Sequence, residues 1–273
     1  MGFFEKIIYF LQGEMETPGI FGWFHIMWLA ITALAVFLLC RFCKNAEGRS
    51  LDRILRCFAI LCLVLEAYKQ VVFSFDYNAA AGTGSWDFEW YAFPFQFCST
   101  PMYVALAASF MKEGRVKNAL LSYLATFGML AGILVMAYPA SVFIGMIGIN
   151  IQTMVHHGGQ LAIGLYLLLC RKIKLEWRSM LGASAVFLVM VGIAQVMNLC
   201  AELCGLEETF NMFYIRYGEP ATLPVYEMLY PGVLSYPVFL LAYVVPFIAA
   251  SCGIFALRKV FDKRGKNSKL CTQ

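Results

Sequence analysis

Seven apolar runs, each close to the length that crosses a bilayer, leave this 273-residue chain few ways to fold. A transmembrane helix needs about 20 predominantly apolar residues to cross a hydrocarbon core about 30 Å thick. The runs are Ile20–Phe42, Ile54–Phe75, Phe93–Met111, Ala119–Tyr138, Thr153–Cys170, Ser179–Ala201 and Leu234–Leu257. The fifth has an apolar lead-in, Val142–Ile151. The chain is 61% hydrophobic and 14% charged, where a soluble domain carries about 25% charged residues. One soluble core cannot hide that much apolar surface. The sequence therefore predicts an all-α, polytopic membrane protein with seven transmembrane helices, built as a single domain over 1–273.

The loops sort by charge. One set holds Arg41, Lys44, Arg49, Arg53 and Arg56, then Lys112, Arg115 and Lys117, then Arg171, Lys172, Lys174 and Arg178. The tail adds Arg258, Lys259, Lys263, Arg264, Lys266 and Lys269. Of the 21 basic residues only Lys6, Lys69 and Arg216 fall elsewhere. Acidic residues dominate the other set: Glu5, Glu14, Glu16, Asp76, Asp87, Glu89, Glu202, Glu207, Glu208, Glu219 and Glu227. Basic loops stay in the cytoplasm, so the N-terminus is expected outside and the C-terminus, with its basic tail 258–273, inside.

No secretory cleavage pattern opens the chain. Phe3, Phe4, Ile7, Ile8 and Leu11 recur at helical spacing, so 1–13 reads as an interfacial helix or, equally, a frayed terminus. The longest external loop, 202–233, carries Pro220, Pro224 and Pro231 with Phe210, Phe213, Tyr214 and Tyr217. It either caps the outer face or merely connects. The ten cysteines lie mostly inside apolar runs and read as small buried hydrophobes, so no disulfide framework is expected.

Ionisable side chains inside a bilayer are costly and mark function by default. Here they share one level. His25 stands in the first run, Glu66 and Lys69 in the outer half of the second, and Gln96 and Cys98 at the start of the third. His156, His157 and Gln160 open the fifth, and Gln195 and Asn198 approach the outer end of the sixth. At 1.5 Å per residue all lie roughly 5–15 Å below the outer boundary. That layer suggests a pocket toward the outer leaflet. Bland readings remain for each: Glu66 and Lys69, three apart, can neutralise each other, and Gln195 and Asn198 suit interhelical hydrogen bonds.

Cys98 follows Pro94, a residue suited to a helix start, which places the thiol one turn into a helix, near its positive end. That position favours the reactive thiolate. A nucleophilic thiol also needs a base within reach, and His156 and His157 enter the same layer, flanked at helical spacing by Thr153, Gln160 and Gly164. Residue spacing leaves open which of the two serves. Adjacent histidines diverge by about 100° on a helix, whereas a helical metal pair uses a spacing of four, so no metal site and no cofactor is expected. No Gly-rich phosphate loop, serine nucleophile elbow or nucleic-acid module is visible.

In order along the chain stand Trp23-Phe24-His25, Phe93-Pro94-Phe95-Gln96-Phe97-Cys98, Tyr138-Pro139, His156-His157, Asn211 through Pro220, and Tyr230-Pro231-Gly232. In order and spacing these resemble the YwaF-type bacterial integral membrane proteins, a group related to animal transmembrane protein 164, an acyltransferase that remodels ether phospholipids through a cysteine. That family often has a histidine two residues before the cysteine, where this chain has Gln96. The resemblance implies a multi-pass protein of the bacterial plasma membrane with Cys98 as nucleophile and His156 or His157 as base. A phospholipid would be the acyl donor and a lysophospholipid the acceptor. Around them, Glu66 would orient a histidine, Lys69 meet a lipid phosphate, and Gln96 or Asn198 donate to the oxyanion. The competing expectation is a transporter or small-ligand sensor that uses the same layer, with His25, Gln160 and Gln195, to bind without chemistry.

Overall fold

The computed structural model describes residues 2–78, 80–206, 209–223 and 225–270, with side chains up to Asp262. Glu207, Glu208 and Pro224, placed above in the external loop, lie outside the described residues, as do the side chains of Lys263, Arg264, Lys266 and Lys269 in the tail. Helices dominate: α1 (Phe3–Leu11), α2 (Trp23–Phe42), α3 (Arg49–Phe73), α4 (Thr100–Ala108), α5 (Arg115–Tyr123), α6 (Met129–Ala137), α7 (Ile147–Leu169), α8 (Trp177–Leu203) and α9 (Tyr236–Leu270). A π-helical turn, Leu124–Gly128, joins α5 and α6 into one rod over Arg115–Ala137. Tyr138-Pro139 ends it, since proline cannot continue the helical ladder.

Among the described residues four helices are long and apolar enough to cross a membrane: Trp23–Phe42, Arg115–Ala137, Trp177–Leu203 and Tyr236–Asp262. Their outward faces are apolar. Ile26, Leu34 and Phe37 on α2, Leu181, Val189 and Val196 on α8, and Leu241, Val245 and Leu257 on α9 are all exposed. Apolar exposure on that scale, continuous along several helices, requires a partner phase, and lipid supplies it. The chain is a polytopic helical membrane protein.

The central helix is α7, which packs against α2, α3 and α6. Glycines set two of these contacts. A Cβ at Gly132 of α6 would lie 2.7 Å from the His157 carbonyl oxygen, and one at Gly158 of α7 would lie 2.5 Å from the Thr32 hydroxyl on α2. Because α7 is surrounded by protein, it can carry Gln152, Thr153, His156, His157 and Gln160 without meeting lipid. Around it an aromatic core joins five segments. Phe127 stacks on Phe187 with centroids 4.7 Å apart, Phe97 meets Phe187 at 5.6 Å and Phe247 at 4.8 Å, and Phe213 closes the group 6.0 Å from Phe97.

Two local elements were not expected. A hairpin follows α3, with β1 (Phe75–Asn78) antiparallel to β2 (Thr83–Trp86) in the register Phe75↔Trp86 and Asn78↔Thr83. The third apolar run is helical only over the nine residues of α4, about 14 Å at the helical rise. The placement of Cys98 inside that helix is therefore corrected. Pro94 precedes the helix by several residues, Pro101 occupies its first turn, and Cys98 lies ahead of the N-cap Ser99. Irregular backbone at such depth is tolerated only where other groups satisfy it. Here they do: Tyr103 OH donates to the Pro94 carbonyl at 2.8 Å, and α7 side chains take the Cys98 carbonyl.

The segment from Phe210 to Ala221 folds inward. Met212, Phe213, Ile215 and Ala221 are fully buried, so this part caps the core rather than merely connecting helices. A second part docks on α9. Pro246 has no N–H to give the Ala242 carbonyl one turn earlier, and Tyr226 OH donates to that carbonyl at 3.3 Å. Every described cysteine is a free thiol.

Candidate functional site

A cavity of about 280 Å³ lies between α3, the irregular segment before α4, α6, α7, the inward loop and α9. Cys98, His157, Gln96, Glu66 and Lys69 line it. Three chain segments thus bring five of the ten candidate residues to one space. A larger groove of about 1160 Å³ under α1 and the hairpin shares Phe73 and Ile144 with it.

The two histidines do different things. In His157, Nδ1 lies 2.8 Å from the Thr153 carbonyl oxygen one turn earlier. A carbonyl only accepts, so Nδ1 carries the proton and Nε2 keeps its lone pair. That Nε2 is buried and has no partner among the described residues. In His156, Nε2–H donates to the Cys98 carbonyl at 3.1 Å, and Nδ1 lies 3.3 Å from Glu66 Oε1. Gln160 Nε2 donates to the same Cys98 carbonyl. His156 and Gln160 therefore grip the backbone that carries the thiol, and His157 presents a basic nitrogen on the cavity wall.

Glu66 is the hub behind them. It is 4% exposed, and its Oε2 meets Lys69 Nζ at 2.5 Å. Gln152 Nε2 donates to Oε1 at 3.3 Å. The ion pair expected from the i, i+3 spacing forms. Lys69 reaches the cavity with its charge already matched.

Glutamine and asparagine side chains serve as latches. Gln96 donates to the Asn211 carbonyl at 2.9 Å and accepts from Phe213 N at 2.8 Å. Asn198 does the same with Met212, donating at 3.0 Å and accepting at 2.7 Å. Between these clamps Phe213 and Tyr214 adopt positive φ angles of 59° and 58°, a conformation that costs bulky residues about 1–3 kcal/mol each. Each amide spends its oxygen and one N–H on loop backbone. Gln195 donates to Tyr236 OH, which passes the bond to the Ile215 carbonyl at 2.8 Å. His25 is fully buried away from the cavity; Phe21 N donates to its Nδ1 at 3.0 Å and its Nε2–H donates to the Met136 carbonyl at 2.9 Å. His25, Gln195 and Asn198 do not line the cavity.

The model of the TMEM164 family matches residues 20–255. The chain belongs to the TMEM164 family. No curated protein matches it, and no solved structure does. In this TMEM164-family chain the matched region takes in every cavity-lining residue. Among the described residues no group of three His, Cys, Asp or Glu side chains is placed to hold a metal ion.

Sequence reasoning missed Gln152, Tyr214 and Tyr243, all on the cavity wall of this TMEM164-family protein. Tyr243 left a usable signal. It stands nine residues into the last apolar run, about 14 Å deep, in the same layer as the other polar groups. Tyrosines that merely anchor a span sit at the interface.

Proposed function

We propose that this chain is a membrane-embedded acyltransferase that carries a phospholipid acyl group on Cys98, with His157 as the base. The observation that supports it best is the shared cavity. A thiol and an imidazole with a bare, buried Nε2 line one space, and a second imidazole fixes the thiol's backbone. Membership of the TMEM164 family points the same way.

His157 Nε2 takes the thiol proton as Cys98 Sγ attacks the ester carbonyl of a phospholipid. The tetrahedral adduct collapses, the C–O bond breaks, and the leaving lysophospholipid oxygen takes the proton back from His157. The thioester then meets the hydroxyl of an acceptor lysophospholipid: His157 takes the hydroxyl proton, the new C–O bond forms, the C–S bond breaks, and Cys98 Sγ takes the proton back from His157. Base assistance of this kind contributes about 10²–10⁴-fold. The neighbouring groove gives a headgroup room while the ester carbonyl reaches the inner cavity. In the same reading the seven runs all cross the plasma membrane, α7 inside the bundle and the third as a half-helix together with the irregular segment before it. The basic loops and tail then face the cytoplasm, and the site opens to the outer leaflet.

The test is a trap. Membranes holding the protein are incubated with phospholipid labelled in its acyl chain, denatured in acid and analysed. The expected result is label on the protein, released by neutral hydroxylamine as a thioester is, and mapped to the peptide containing Cys98. Label that survives hydroxylamine, or none above background, contradicts the covalent mechanism.

A further inference from the structure

We infer that the Tyr243 hydroxyl is the hydrogen-bond donor that receives the oxyanion when the Cys98 thiolate attacks an acyl ester. This rests on the acyl-transfer reading above and adds to it a donor for the oxyanion.

An acyl transfer needs a donor aimed at the oxygen that becomes negative, and such preorganised donors supply much of the rate. The amides of Gln96 and Asn198 are held by loop backbone, and Lys69 is paired with Glu66. The Thr100 hydroxyl, next to the segment, bonds to the Phe97 carbonyl and to Tyr123 OH. Tyr243 differs. It is 1% exposed, lines the cavity with Cys98 and His157, and its hydroxyl has no partner among the described residues. Glu66 Oε2, His157 Nε2 and Tyr243 OH are the buried, hydrogen-bond-free side-chain atoms on that wall. Glu66 is satisfied by its ion pair with Lys69. What remains is one lone pair and one O–H, a base and a donor facing one space.

The ring is well placed and well held. Tyr243 packs on Phe247 with centroids 5.0 Å apart, and Phe247 packs on Phe97, the residue before Cys98, at 4.8 Å. Tyr226 braces the other side at 5.4 Å. A buried phenol O–H left unbonded is costly, and that cost is recovered when a carbonyl oxygen enters. In the reaction the thiol proton passes to His157 Nε2, the S–C bond forms, and the carbonyl pair moves onto oxygen, where Tyr243 O–H donates to it. Tyr243 keeps its proton throughout. Collapse breaks the ester C–O bond, and His157 protonates the departing alkoxide.

The experiment compares full-length wild type with Tyr243→Phe, Ser251→Ala and Cys98→Ser. Ser251 is a second buried hydroxyl on α9 without a partner, but it does not line the cavity. Each protein is reconstituted in phosphatidylethanolamine–phosphatidylglycerol vesicles with radiolabelled acyl chains and lysophosphatidylethanolamine as acceptor. Tyr243→Phe is expected to slow labelling of Cys98 and acyl transfer about 10²-fold, with the half-saturating lipid concentration unchanged. Its thermal midpoint should equal or exceed wild type, because an unbonded hydroxyl is removed. Ser251→Ala should match wild type in rate. Wild-type labelling by Tyr243→Phe beside an inactive Cys98→Ser overturns the role of Tyr243 and leaves the acyl-transfer reading standing. A slow Tyr243→Phe with a lowered thermal midpoint also overturns it, since the hydroxyl would then be structural. Labelling in Cys98→Ser equal to wild type, or none in wild type, removes the acyl-transfer reading and this inference with it.

Discussion

Replacing Cys98 by alanine is expected to abolish acyl transfer, and replacing His157 by glutamine is expected to lower it about 10³-fold. The two losses have different physical origins. Alanine removes the atom that carries the acyl group. Glutamine keeps much of the volume of imidazole and can still donate to the Thr153 carbonyl, but it offers no nitrogen lone pair with the basicity of Nε2. Because the two residues act on one proton, Cys98→Ala/His157→Gln should be no worse than Cys98→Ala alone. His156→Gln should cost less than His157→Gln, since a glutamine amide can still donate to the Cys98 carbonyl beside Gln160. The check is the rate of label transfer from phospholipid to lysophospholipid in reconstituted vesicles. A His157→Gln enzyme within tenfold of wild type would remove His157 from the role of base.

The second large effect is on stability. Glu66→Leu leaves Lys69 without its 2.5 Å partner and His156 Nδ1 facing an alkyl chain. Removing one member of a buried ion pair costs about 3–5 kcal/mol because the other charge stays buried. Glu66→Leu/Lys69→Leu removes both charges, and most of that loss should disappear. Equilibrium unfolding in a mild detergent measures both variants. A double variant as unstable as Glu66→Leu would mean that the carboxylate matters for holding His156 and Gln152 rather than for matching Lys69.

The membrane character of the chain was legible because lipid makes a uniform demand: a helix with an outward face must be apolar along its length, as α2, α8 and α9 are. The polar layer was legible for the opposite reason, since few side chains break that demand. What the residues do within the layer was not. Cys98 reads as a helical residue after Pro94, yet its carbonyl is taken by His156 and Gln160, 58 and 62 residues away. That long-range capture keeps the segment out of the helix. Gln96 and Asn198 read as polar groups free to act, but their partners are main-chain atoms of a loop whose path only the fold reveals. His25 reads like the other two histidines, and only the fold shows that its nitrogens meet the Phe21 and Met136 backbone, away from the cavity. The hairpin after α3 escaped notice because each strand has four residues, too short to show a clear alternation of apolar and polar positions.

The central claim is that Cys98 and His157 meet as acid and base in one cavity, and alkylation of the resting protein tests it without any assumption about substrate. A small membrane-permeant maleimide reacts with thiolate, so its rate at Cys98 reads the basicity of the thiol's surroundings. The rate is measured at neutral pH by mass spectrometry of the Cys98 peptide. The account predicts that His157→Gln slows alkylation of Cys98 at least about tenfold, while His25→Gln leaves it near the wild-type value. Equal rates in wild type and His157→Gln would contradict it.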